Sequence, residues 1–248
     1  MDMNQYYSKL YDAALTAFRC LNQSARVESN TVTFSAGTVK TAVARGKVLE
    51  KAATAHIKLR TKNPETGKDT QFDVFQIKIY PVNPTIPILL FNMENRVTCE
   101  DKFGGFIDVA PVATSTEDLR YLSDHLSKLA EEYHIDYENL RKGVFNMYKM
   151  DQWDSGVNAA IGIRLELTAA QFPFISIAGL KWLEWYCTIV DKRCNAPFST
   201  DDAEEMNRVR TDILAFYMLK DMSFHIIQKL GVPLEVMALV HFPPTLHY

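Results

Sequence analysis

The residues that most often bind metals or act as nucleophiles are poorly spaced for either task in this chain. Six histidines, His56, His125, His134, His225, His241 and His247, form no HxH or HExxH pattern, and none stands at zinc-ligand spacing from a cysteine. Cys20, Cys99, Cys187 and Cys194 include no CxxC pair; the last two lie in a segment of helical pattern, and buried free thiols are expected. GxSxG, GxGxxG and the phosphate-cradling GxxxxGK[ST] loop are absent. Neither a metal nor an organic cofactor is expected. Chemistry would then fall to ordinary carboxylate, amide and guanidinium side chains, which bind a ligand's polar groups and exchange protons with it.

Charge and composition narrow the ligand. The 27 basic and 30 acidic residues interleave along the chain for a net charge of −3, so no basic stripe is available to neutralise a run of phosphates, and nucleic acid is not an expected partner. The chain starts MDMNQYYSKLYDAALTAF, without the basic region and apolar run of a secretory leader, and no stretch offers eighteen uncharged apolar residues. A soluble, cytoplasmic protein that does not span a membrane is expected. With 248 residues, 47% hydrophobic and 23% charged, the chain can bury a large core. No Gly/Ser/Pro-rich linker or repeat divides it, so a single domain over 1–248 is expected.

The elements that must position those side chains follow from periodicity. Tyr6, Tyr7, Leu10, Tyr11, Ala14, Leu15 and Phe18 draw one stripe on a helix over Met3–Leu21. Val39, Val43, Val48, Leu49 and Ala52 suggest a second helix over Gly37–Ala53, weakened at Gly46. Thr54–Arg60 alternates as a half-buried strand, and Asn63-Pro64-Glu65-Thr66-Gly67 reads as the turn of a hairpin into a strand at Phe72–Tyr80. Further strands are predicted at Ile88–Met93, Phe103–Val112 and Gly156–Leu167. Helices are predicted from Ser115-Thr116-Glu117-Asp118 onward, at Asp136–Tyr148, Ile177–Arg193, Glu204–Leu219 and Leu234–Val240. Trp182, Trp185 and Tyr186, at helical spacing, read as core, with a partner surface as the other option. Strands in the middle and helices at both ends make an α+β protein, an antiparallel β-sheet flanked by helices on both faces.

Four segments carry a family resemblance. RGKVLEKAA (45–53), PVNPTIPILLFN (81–92), FGGFIDVAP (103–111) and FPPT (242–245), in this order and at these spacings, resemble oxygen-dependent coproporphyrinogen III oxidase over about residues 45–248. The resemblance implies the same α/β/α sandwich, a homodimer, and a cleft for a tetrapyrrole on one sheet face. It also implies oxidative decarboxylation of two propionates to vinyls by dioxygen, with no metal or organic cofactor. Asp108 matches the family's Asp in Gly-Gly-x-x-Asp-x-x-Pro and would hold pyrrole N–H groups, as an acceptor-only carboxylate can.

The departures bear on specificity. Where the family has His-Phe-Asn-x-Arg this chain has Leu90-Phe91-Asn92-Met93-Glu94, which keeps Asn92 and exchanges an arginine for an acid. Where the family has Tyr-Asp-Arg-Gly it has Lys220-Asp221-Met222-Ser223, which keeps Asp221 and loses the guanidinium. A cleft for four propionates needs fixed cations, and Arg meets a carboxylate bidentately; Arg164 is one cation the chain supplies from elsewhere. The residues expected at the site are therefore Asp108 and Glu94 as catalytic carboxylates, with Asn92, Asp221 and Arg164 binding the substrate. The expected function is binding or modification of a tetrapyrrole with altered activity. A looser similarity of the middle of the chain to ferredoxin-dependent bilin reductases offers one alternative, and a non-catalytic scaffold of the same fold another.

Overall fold

The computed structural model describes residues 3–23, 25–62, 67, 69–96 and 102–245. Most of the turn expected at Asn63–Gly67, together with Cys99 and His247, lies outside the described residues.

Six strands follow one another as an antiparallel meander: β1 (Val27–Phe34), β2 (Gly37–Ala44), β3 (Leu49–Lys62), β4 (Asp69–Pro81), β5 (Ile88–Arg96) and β6 (Lys102–Ala110). Two short strands, β7 (Ile163–Arg164) and β8 (Leu167–Thr168), both pair with β6. The helices are α1 (Met3–Leu21), α2 (Thr116–Glu132), α3 (Tyr137–Lys142), α4 (Phe172–Arg193), α5 (Thr200–Leu219), α6 (Met222–Lys229) and α7 (Leu234–His241).

Successive strand residues point to opposite faces, so each central strand feeds two cores. Phe75, Ile77 and Ile79 of β4, Leu89, Phe91 and Met93 of β5, and Ile107 and Val109 of β6 pack against α1, α2 and α4. Trp182, Trp185 and Tyr186 belong to this layer and are buried, which makes them core rather than a partner surface. The opposite positions, among them Ile57, Val74, Tyr80, Leu90 and Phe106, meet Val209, Ile213 and Tyr217 of α5, Phe224 of α6, and Val236 and Val240 of α7. The result is the expected sheet between two helical layers. Asp118, buried at the start of α2, accepts from Arg193 at 2.6 Å and Lys192 at 3.0 Å and ties α2 to the end of α4. Ser199 and Asp202 close a capping box at the start of α5.

The helix expected over Gly37–Ala53 is instead β2 and the start of β3. Val39 and Val43 stand four apart, which fits one helix face, but Thr38, Val39, Thr41 and Val43 are β-branched, and paired between β1 and β3 they pack on the pleat. Gly37 allows the close approach of β3: a Cβ there would stand 1.9 Å from the Lys58 carbonyl oxygen.

Of the strand expected over Gly156–Leu167 only Ile163–Arg164 and, at its end, Leu167 of β8 are in strands; the backbone N–H groups of residues 160–162 bond to one side chain instead of a ladder. The helix expected over Asp136–Tyr148 stops at Lys142, before Gly143, and continues as turns. Strand β1 and helix α6 had no expectation attached to them.

Candidate functional site

Helix α7 packs on β2, β3 and β4. Toward β5 and β6 the same sheet face opens into a cavity of about 750 Å³, walled by residues 143, 145–148, 164–166, 168, 216, 217 and 221. That is a usual size for an organic-ligand site. Its floor is built from cross-strand rows: Gln76 of β4 lies opposite Asn92 of β5, which lies opposite Phe106 of β6, which lies opposite Arg164 of β7. One step along, Glu94 faces Gly104; one step the other way runs the row Lys78, Leu90, Asp108.

Glycines give the floor its shape. A Cβ at Gly104 would stand 2.7 Å from a Glu94 carboxylate oxygen, and one at Gly105, whose φ is +105°, would stand 2.2 Å from the Asn92 carbonyl oxygen. Gly143 does the same for the wall, since a Cβ there would meet the Arg164 Cβ at 2.7 Å. Phe103, Phe106, Tyr148, Phe216 and Tyr217 supply the apolar surface.

The polar groups are unevenly satisfied. The Gln76 Oε1 and Asn92 Oδ1 atoms are buried, border the cavity side by side, and accept no hydrogen bond among the described residues. An unmet buried carbonyl costs about 1–3 kcal/mol, and the cost is recovered when a ligand donor arrives. Lys78 is 1% exposed, and its Nζ donates to the Tyr148 hydroxyl at 2.7 Å; that hydroxyl is bonded to the Tyr217 hydroxyl, also at 2.7 Å. Burial pushes the Lys78 ammonium down to about 7, with Asp221 acting in the opposite direction. Burial raises both phenols, so they stay protonated. Asp221 accepts the Phe224 N–H at 3.3 Å, at the start of α6. Arg164, half exposed at the mouth, pairs with Glu166 at 2.8 Å.

Of the residues expected at the site, Asn92, Glu94, Arg164 and Asp221 line this cavity. Asp108 does not. It is 1% exposed, and its oxygens accept from Asn158 Nδ2 at 2.8 Å and from the backbone N–H groups of Ala160 (3.0 Å), Ile161 (3.4 Å) and Gly162 (3.1 Å). Burial raises its carboxyl to about 6 against those hydrogen bonds, yet with four donors on it the group staples the segment above β6 and is not presented to a ligand. The expectation placed a cleft carboxylate here; in the structure the Asp108 oxygens turn to residues 158–162, and the residue is not among those lining this cavity. Gln76, Lys78, Tyr148 and Tyr217 were not anticipated. For the first two a signal existed: in Phe72–Tyr80 they are polar residues two apart in the middle of an apolar run, on one side of the most central strand.

Comparison with known proteins agrees with the fold. A family model described as coproporphyrinogen III oxidase matches residues 15–227. No curated protein sequence matches the chain. Among solved structures, phytochromobilin synthase from tomato, in complex with biliverdin, superposes with a TM-score of 0.62 over 95% of this chain and 82% of that one, at 13% identity. At that identity the likeness is one of fold.

Proposed function

This chain belongs to the coproporphyrinogen III oxidase family, and we propose that its cavity binds a tetrapyrrole and supports an activity on it altered from the family's own. The observation that carries this reading is the pair of unpartnered buried oxygens on Gln76 and Asn92. A pyrrole ring brings what they lack, an N–H donor on a flat apolar body, and the aromatic walls and the Gly104-Gly105 floor suit such a body. The biliverdin bound by the tomato enzyme of the same fold supports the ligand class.

The charge around the cavity supports the altered activity. The family reaction works on propionates that must be anchored, and Glu94 stands where the motif has an arginine. The cations that remain are Lys78, in the floor, and Arg164, already paired. In this reading Glu94, which borders the cavity, exchanges a proton with the ligand; the four donors on Asp108 favour Glu94 over it for that part. A cytoplasmic homodimer belongs to the same reading, on the footing of family membership, and light scattering measures the assembly.

Absorbance titration of the purified protein with biliverdin, protoporphyrin and coproporphyrin tests the function. Gln76→Met should weaken binding about tenfold while stabilising the unliganded protein by about 1–2 kcal/mol, because it removes an acceptor that only the ligand satisfies. No spectral change with any of these compounds up to about 0.1 mM would overturn the reading in favour of a scaffold that has lost its ligand.

A further inference from the structure

The floor of the cavity holds unspent hydrogen-bonding capacity of both signs. Gln76 and Asn92 offer oxygens with no donor among the described residues. Two positions along β4 from Gln76, on the same face, Lys78 offers an ammonium with three N–H donors. Among the described residues that ammonium has one hydrogen-bond acceptor, the Tyr148 hydroxyl. It otherwise faces rings, those of Phe106, Tyr148 and Tyr217, with centroids 5.2, 5.3 and 5.4 Å away. A buried donor beside buried acceptors is complementary to a ligand edge that carries C=O and N–H together, which is the edge of an amide.

Tetrapyrroles divide on this feature. A closed macrocycle turns its nitrogens inward and has no ring carbonyl. An open-chain tetrapyrrole ends in lactam rings, each with its N–H beside its C=O. We propose that the cavity selects an open-chain tetrapyrrole, with a terminal lactam N–H donating to Gln76 or Asn92 and the lactam oxygen accepting from Lys78. The inference rests on the tetrapyrrole reading above and makes Lys78 the specificity-determining residue.

The protonation of Lys78 supplies an independent signature. Its ammonium is held down to about 7 by burial. A second acceptor on the charged form favours that form, so binding draws a proton and the affinity falls as pH rises above about 7. The groups facing Lys78 are Tyr148 and Tyr217, whose burial keeps them neutral, Asp221 beyond α5, and His241 of α7, which burial and then Lys78 itself push down to about 3. Asp108 lies two strands away in the same row, its oxygens occupied. Tyr148 and Tyr217, raised by burial, His241, held near 3, and Asp108, near 6, do not change charge between about 7 and 9.

Biliverdin and protoporphyrin each carry two propionates, so comparing them isolates the lactam ends. The unsubstituted protein is expected to bind biliverdin at least about tenfold more tightly at pH 7, with an affinity that weakens between pH 7 and 9, and to bind protoporphyrin without that pH dependence. Lys78→Met, which replaces a buried charge by an apolar chain of similar length, should abolish the pH dependence of biliverdin binding and cost biliverdin about tenfold more affinity than it costs protoporphyrin. Equal affinity for the two compounds, or biliverdin binding that ignores pH in the unsubstituted protein, overturns the lactam assignment and leaves the tetrapyrrole reading standing. Binding of neither overturns both. The ligand comparison and the pH profile are read on the unsubstituted protein, so they decide the matter even if the variant does not fold.

Discussion

Glu94 and Arg164 frame the charge balance of the cavity: with Glu166 and Asp221 the lining holds, among the described residues, three carboxylates against two cations, and one of those cations, Arg164, is already paired with Glu166 at 2.8 Å. Each added propionate on a ligand meets that excess of like charge. Ligands with two carboxylates should therefore bind more tightly than those with four. Glu94→Arg removes a repulsion and adds a planar fork, and is expected to strengthen binding of coproporphyrin by roughly 1–3 kcal/mol if the contact is desolvated. Calorimetry with coproporphyrin and protoporphyrin on both proteins measures the difference. An unchanged coproporphyrin affinity in the variant would place the propionates away from Glu94. Asn92, Glu94 and Asp221 could be picked out from motif positions, the first two because a motif preserves register along a strand; Arg164 could be picked out only as a cation outside the motifs. Gln76 and Lys78 could have been found from alternation alone. Tyr148 and Tyr217 could not: their hydroxyls meet each other and Lys78 only because three segments, 70 and 69 residues apart in sequence, converge.

The segment between α3 and β7 shows the limit of periodicity at the scale of an element. Val157, Ala159, Ile161, Ile163 and Leu165 alternate as a strand does, and only Ile163 lies within a ladder. The competing partner is Asp108, whose carboxylate gathers the N–H groups of residues 160–162 while Ala160 turns to a φ of +55°. Asp108→Ala would strand those N–H groups under the protein surface, and is expected to cost about 2–4 kcal/mol. Urea denaturation measures the loss, and hydrogen exchange should show it concentrated at residues 160–162. A variant as stable as the parent, with unchanged exchange there, would mean that the staple contributes nothing. The misreading of β2 has a similar cause: valines four apart fit a helix face as well as a strand, and the choice was made by β1 and β3 on either side.

At the scale of the whole molecule, buried ionisable groups set the pH response. Lys51 and Lys78 are 2% and 1% exposed and lie near 7 when folded, against 10.5 in the free side chain, so between those values the unfolded chain binds more protons and stability rises with pH. Asp108, raised from 3.8 to about 6, works the other way: stability falls as pH rises between those values. His241, lowered from 6.5 to about 3, opposes Asp108 over that same acidic range. The midpoint of urea denaturation should thus change little between about pH 4 and 6 and climb between about 7 and 9, by on the order of 1 kcal/mol per pH unit for each lysine. Lys51→Met should flatten that climb by about half; a midpoint that is level from 7 to 9 in the unsubstituted protein would mean both ammonium groups are better solvated than their burial implies. No helix among the described residues is long and apolar enough to cross a membrane. The amino-acid sequence by itself determined the alternation of faces along the half-buried part of β3, the helix starts at Ser115 and Ser199, and the strands-between-helices architecture, because these depend on backbone period and on partners within one turn. Which polar residues on the buried face border the cavity and which are claimed by the protein was decided only by the tertiary structure. Asp108 and Asn92 stand on the same face of adjacent strands, and the difference between them is a loop some fifty residues further along the chain that covers one carboxylate and leaves the neighbouring amide oxygen without a partner.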